Sequence, residues 1–168
     1  MSKADWPRYV FASLADYFKT IAESYSLPVL VEHLGERDDA LMRASDRAEI
    51  RITGPYEREL SKEFYRLFVD VSILLVSRYD GKSKNPYDIM RYAGGFAEAM
   101  FDAIPVWNFG NQDGDYDEGE PDTQIHLGCL SLQQGKSVQI LHHGQVDAVE
   151  KIKMSEVNAK FRMELYDV

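Results

Sequence analysis

Apolar residues recur at steps of three and four at Val10, Leu14, Tyr17, Ile21 and Tyr25, the spacing of one helical face. Asp5 and Pro7 ahead of them supply an N-cap and a first turn, so an amphipathic helix is predicted over Pro7–Tyr25. After Leu27-Pro28 the pattern changes. Val29–Leu34 is apolar and β-branched enough for a short strand, and Ala48–Thr53 alternates with period two before Gly54-Pro55, a turn signal. The clearest strand follows. Tyr65, Leu67, Val69, Val71, Ile73 and Leu75 fall on one face, with Arg66, Phe68, Asp70, Ser72 and Leu74 on the other. Its predicted partner is Ala48–Thr53, with Gly54–Glu63 as a long hairpin loop.

Asp80-Gly81 to Asn85-Pro86 breaks this alternation. A second helix is expected from Asn85 to Ile104, on the spacing of Ile89, Ala93, Phe96, Met100 and Ile104. Gly94-Gly95 in its middle costs helix stability, about 1 kcal/mol each relative to alanine, and is read as a site of close packing against the sheet. Asn108–Asp122 is glycine-rich and acidic and reads as an exposed loop. Three strands are expected to finish the chain, at Thr123–Leu132, Ser137–His143 and Val157–Leu165. The last alternates Val157, Ala159, Phe161, Met163 and Leu165 with Asn158, Lys160, Arg162 and Glu164. The order predicts an α+β fold: an antiparallel or mixed sheet carrying two main helices on one side, a long hairpin and extended loops. The whole span 1–168 is read as one domain.

Composition narrows the function classes. With 45% hydrophobic and 28% charged residues among 168 the chain has enough apolar material for a core. The one cysteine, Cys129, forms no internal disulfide; lying between Gly128 and Leu130, it is read as a buried small hydrophobe. Met1–Pro7 lacks the basic and apolar regions of a secretory signal. The longest apolar run, Val69–Val76, is interrupted by Asp70 and Ser72 and falls short of the roughly 20 residues a membrane helix needs. A net charge of −9 repels polyanions, so general nucleic-acid binding is not expected.

Candidate chemistry is thin. Asp113-x-Asp115-x-Asp117 resembles the start of a calcium-binding loop, but Glu118 stands where that loop needs glycine and Gln124 where it needs a bidentate glutamate. His142 and His143, adjacent on a strand, point to opposite faces and are poorly placed to share a metal. No nucleophile elbow, phosphate loop, dinucleotide fingerprint or zincin motif occurs. No catalytic residue, cofactor or metal is therefore assigned. Aromatic residues make up 12% of the chain, including ten tyrosines, and tyrosine and tryptophan favour interfaces. Tyr56 after the Gly54-Pro55 turn, with Glu57 and Arg58, and Trp107 with Phe109 past the second helix are the candidate partner contacts, joined by Asp113, Asp115, Asp117 and Glu118 of the acidic loop.

The whole order resembles the tail terminator (tail-end completion) proteins of long-tailed bacteriophages: the N-terminal helix, Ala48-Glu49-Ile50-Arg51-Ile52-Thr53-Gly54-Pro55, the strand Phe64–Ser77, the helix Asn85–Ile104, and the terminal strand Asn158–Leu165. The likeness is one of organisation across most of the chain and rests on no diagnostic motif. It implies a virion protein of the tail and neck, assembled in the host cytoplasm. It also implies a homohexameric ring that stops growth of the tail tube and meets a head-completion or connector protein, with genomic DNA passing through the lumen. A heterologous ring contact is expected to draw on the Gly54–Glu63 and Asp113–Asp122 loops, both ordered on assembly. The competing readings are another neck component, and a small enzyme or ligand-binding domain whose site draws on His126, His142 and the acidic loop.

Overall fold

In the computed structural model the first apolar stripe forms helix α1, Trp6–Ser24. The described residues are 6–31, 46–61, 64–79, 85–108, 125–147, 149 and 151–166. Val10, Leu14, Phe18 and Ala22, four apart, are fully buried, while Asp16, Lys19, Thr20 and Glu23 face solvent. The helix ends in a paired cap: the Leu27 amide donates to the Ala22 carbonyl at 3.0 Å and the Ser26 amide to that of Glu23 at 2.9 Å. Ser26 takes the left-handed conformation this cap requires (φ 55°).

Pro28 then leads into β1, Val29–Val31, parallel to the start of β2, Asp46–Ser61. β2 and β3, Phe64–Arg78, form an antiparallel hairpin in register from Asp46↔Ser77 to Ser61↔Phe64. The expected hairpin loop is thus corrected: Gly54-Pro55 does not end the strand. Gly54 (φ 108°) accommodates a bulge between Thr53 and Tyr56, after which pairing resumes at Tyr56↔Phe68. Residues 62 and 63 lie outside the described set.

Helix α2 spans Asp88–Ala99, and its expected extension to Ile104 is also corrected. Pro105 biases Ile104 toward extended backbone, and Ile104–Asn108 forms a strand, β4. The Tyr17 hydroxyl donates to the last helical carbonyl, Ala99, at 3.1 Å. β5, Ile125–Leu132, pairs with β4 and touches β7 only at Ser131↔Arg162 and Leu132↔Phe161. The chain then steps away, and β6, Gln139–Asp147, pairs with β7, Ile152–Tyr166, from Gln139↔Asn158 to Asp147↔Ile152. β7 begins earlier than its alternation suggested.

The result is an α+β fold with a mixed seven-stranded sheet in the order β1-β2-β3-β7-β5-β4, β6 lying beside β7. Ile50 and Ile52 of β2, Val69, Val71 and Ile73 of β3 and Val157, Phe161 and Met163 of β7 share one buried face with α1 and α2. Phe18, Phe96 and Phe161 bring the two helices and the sheet together, with ring centroids 6.4 and 6.5 Å apart. The expected contact of Gly94-Gly95 with the sheet is replaced by another. Gly95 lies against the ring and hydroxyl of Tyr25 at the end of α1, and a β-carbon at Gly94 would meet nothing within 4 Å.

Candidate interaction surface

Among the described residues, α1 and α2 cover one face of the sheet and nothing is packed on the other, here called the bare face. On the face away from the helices, charged side chains alternate in sign across the strands. Arg66 pairs with Glu164 at 2.7 Å, Lys160 with Asp70 at 3.0 Å, and Glu49 lies 2.9 Å from Arg47 and 3.6 Å from Arg51. Ser72 donates to Glu156 at 2.9 Å, and His143 lies 3.5 Å from the other carboxylate oxygen. The Ser72 bond holds the Glu156 carboxyl below the usual range against partial burial, with Asn158 and His143 pulling the same way. A carboxylate with a lowered folded pKa stabilises above its unfolded value, near 4.3, and loses that contribution as pH falls through the folded one. Replacing Glu156 with glutamine is expected to cost less than about 1 kcal/mol at pH 7, the pair being partly exposed, and to flatten the loss of stability below about pH 4. Chemical denaturation of both proteins from pH 7 to pH 3 checks this, and parallel acid profiles would contradict it.

β6 differs from every other strand. Its residues from Gln139 to Val146 are exposed, with Ile140 at 41%, Leu141 at 46% and Val146 at 50% of full accessibility. β7 covers one of its edges, and among the described residues no strand pairs with the other. Sheet edges with apolar side chains and free backbone groups invite added strands, and natural edges are usually guarded with lysine, proline or bulges. β6 has register irregularities between His142 and Gly144 and between Gln145 and Asp147, but neither lysine nor proline. Its two histidines take opposite sides: His142 Nδ1 lies 2.8 Å from the buried Ser155 hydroxyl, and His143 meets Glu156 on the bare face.

The residues singled out from the sequence scatter over this framework. Tyr56 is 54% exposed on β2, opposite Phe68 on the bare face. Glu57 and Arg58 continue the same strand, opposite Leu67 and Arg66. Trp107 is a half-buried residue of β4. Its amide donates to the Ser13 hydroxyl at 3.0 Å and its ring sits edge-on to His126 at 5.0 Å. Phe109, Asp113, Asp115, Asp117 and Glu118 lie outside the described residues. Cys129 is exposed and not buried, with its sulfur 3.5 Å from His126 Nε2. It alternates with the buried Leu130 and therefore faces outward.

No protein-family model matches the chain, and no curated protein matches it. His126 on β5 pairs with Trp107 and Cys129, while His142 on β6 pairs with Ser155, so the two are held in separate networks. A cleft of about 490 Å³ beside the bare face is lined by Asp70, Ser72, Lys136, Ser137 and Lys160, among others, and includes neither histidine. Among the described residues no three histidine, cysteine or acidic side chains converge on a metal-sized point, and no helix is long and apolar enough to cross a membrane. The feature that sequence reasoning missed is the exposure of β6: a strand was expected at Ser137–His143, but not that Gln139–Val146 would lie exposed along it.

Proposed function

We propose that this chain is a structural subunit of a phage neck: it forms a ring, expected to be hexameric, on the last turn of the tail tube, halts tube growth and offers a joining surface to the head-completion or connector protein. It works through contact, without catalysis or a cofactor. The observation that carries the reading is β6, whose Ile140, Leu141 and Val146 are exposed beside an edge that no strand among the described residues pairs with, since a ring needs an adhesive margin on every subunit. The order of elements along the chain, which resembles that of the tail terminator proteins, supports a place for the ring on a tail.

The bare sheet face supports the same reading. Two of its cations sit beside acids, in Arg66–Glu164 and Lys160–Asp70, and these offer less positive charge to a phosphate backbone than unpaired ones would. A conduit wall that lets DNA slide past without holding it requires this balance, and the overall charge of −9 works in the same direction.

The test is negative-stain imaging of the purified full chain, alone and mixed with polymerised tail tube protein from the same genome. Six-fold rings capping one tube end are expected. Rings that bind only the portal or connector protein would move the chain to another position in the neck, and a monomer that ignores the tube would remove the assembly reading.

A further inference from the structure

A free subunit has its β6 strand exposed to water. We propose that two copies cover it for each other: β6 of one pairs antiparallel with β6 of a second across a two-fold axis, so that the free protein keeps covered the margin a ring would use.

Which backbone groups of β6 face outward follows from β7. The Gln133 amide donates to the Lys160 carbonyl at 2.8 Å, so Lys160 turns its backbone groups toward the side that β5 and β6 share. β7 is regular along its whole pairing with β3, and in such a strand alternate residues turn their backbone groups the same way. Asn158 and Glu156 therefore point toward β6, where they stand opposite Gln139 and Leu141. Ile140 and His142 then turn their N–H and C=O groups away from β7, to a side where no strand among the described residues lies. Both are exposed and both precede the first register irregularity of β6, which falls after His142.

This pattern is complementary to itself. Antiparallel strands exchange two hydrogen bonds between opposed residues whose backbone groups face each other. A two-fold axis through Leu141 sets Ile140 opposite His142 of the second copy, and His142 opposite its Ile140. No other centring matches both outward residues within the regular stretch. Leu141 then meets its own copy at a position without backbone hydrogen bonds, with Cα atoms about 4.5 Å apart. Leu141 is 46% exposed and lies on the bare face, opposite Glu156. An axis perpendicular to the sheet keeps both leucines on that face, where they cover each other.

Charge selects a second copy as the occupant. The chain carries −9 overall, so two copies repel wherever both bring their acids together. Gln139–Val146 contains no aspartate, glutamate, lysine or arginine. Glu156, the carboxylate opposite Leu141, already accepts from Ser72 at 2.9 Å and lies 3.5 Å from His143. A partner chosen by charge finds no ion to pair with along this strand, whereas a second β6 brings apolar side chains to apolar side chains and no like charge at neutral pH. The pair is closed, because each copy uses its β6 on the other. A contact along one short strand falls below the about 1,200 Å² at which stable interfaces begin, so dilution separates the copies.

Sedimentation of the full chain over a dilution series, with no tail tube present, reads the pair independently of the ring. A monomer–dimer equilibrium is expected. Leu141→Lys puts like charges opposite each other at an exposed site, where circular dichroism stays unchanged, and is expected to weaken the dimer by about tenfold or more. In the full chain carrying Cys129→Ser, oxidation of Leu141→Cys is expected to link two copies, the Cα separation lying within disulfide reach, about tenfold faster than oxidation of Val149→Cys. Val149 is 92% exposed and lies outside β6, so it measures chance encounters. A monomer at every concentration, larger rings without a dimer, a dimer that Leu141→Lys leaves unweakened, or equal linking at the two cysteine positions would each overturn the pairing.

Discussion

Replacing Phe96 with alanine is expected to destabilise the protein by about 3–5 kcal/mol, the range for emptying a large aromatic from a core. Phe96 is fully buried on α2 and its ring lies 6.4 Å from Phe18 of α1. Phe18 in turn stands 6.5 Å from Phe161 of β7, so the site is walled by two helices and a central strand. A cavity there has little freedom to collapse, because the β7 backbone is fixed by fifteen register pairs with β3 from Phe64↔Tyr166 to Arg78↔Ile152. For a chain of this size the melting point is expected to fall by roughly 10 °C. Urea unfolding measures it directly, with Tyr87→Ala as the comparison, since Tyr87 is 65% exposed and its loss is expected to change stability by less than about 0.5 kcal/mol. A Phe96 variant within 1 kcal/mol of the parent would mean that the three rings do not form the joint between helices and sheet.

The parts of this core were legible in the chain because one short-range rule governs each. Leu67 to Leu75 repeat every two residues and declare the face they bury, and Val10 and Leu14 begin the buried stripe of α1, although it continues through Phe18 and Ala22 while the expected Tyr17, Ile21 and Tyr25 are half-buried. The α+β class followed from their order. What failed were the local stop signals. Gly54-Pro55 reads as a turn, yet the pairing on both sides of it, Thr53↔Asp70 and Tyr56↔Phe68, absorbs the two residues as a bulge; only the long-range match of two strands reveals that. Conversely, the apolar spacing that carried α2 to Ile104 ignored Pro105, the residue that ends helical backbone there. Cys129 was placed inside because it lies between Gly128 and Leu130 in an apolar strand, although alternation with the buried Leu130 sets it outside.

The candidate surface was less legible than the core, for a different reason. Tyr56 could be picked out because a large aromatic beside a glycine and a proline is hard to hide. β6 could not, because its exposure is a property of strand order. Ile140 and Leu141 would read as interior residues in a central strand, and they are exposed only because β4 and β5 cover the other part of that margin and leave β6 uncovered. Whether an edge is open depends on contacts far apart in the chain, which no window of neighbouring residues contains.

The adjacent glycines of α2 are expected to respond to the same substitution with opposite sign. Gly94 is exposed and a β-carbon there meets nothing within 4 Å, so Gly94→Ala gains the helical preference of alanine, about 1 kcal/mol. Gly95→Ala makes the same gain, but its methyl group overlaps the Tyr25 ring and hydroxyl. That ring is not free to move aside, lying 5.4 Å from the Tyr92 ring and 6.0 Å from the Arg91 guanidinium. Overpacking of this kind costs about 1–3 kcal/mol, which outweighs the helical gain and leaves Gly95→Ala destabilised by up to about 2 kcal/mol. The mechanism predicts its own reversal: with Tyr25→Leu in the background the obstacle is gone, and Gly95→Ala is expected to become stabilising, a coupling of about 1–3 kcal/mol between touching sites. Urea denaturation of the four proteins in this cycle measures that coupling. Equal gains at Gly94 and Gly95 would show that α1 and α2 do not meet through Tyr25, and an additive cycle would assign the cost at Gly95 to some other neighbour.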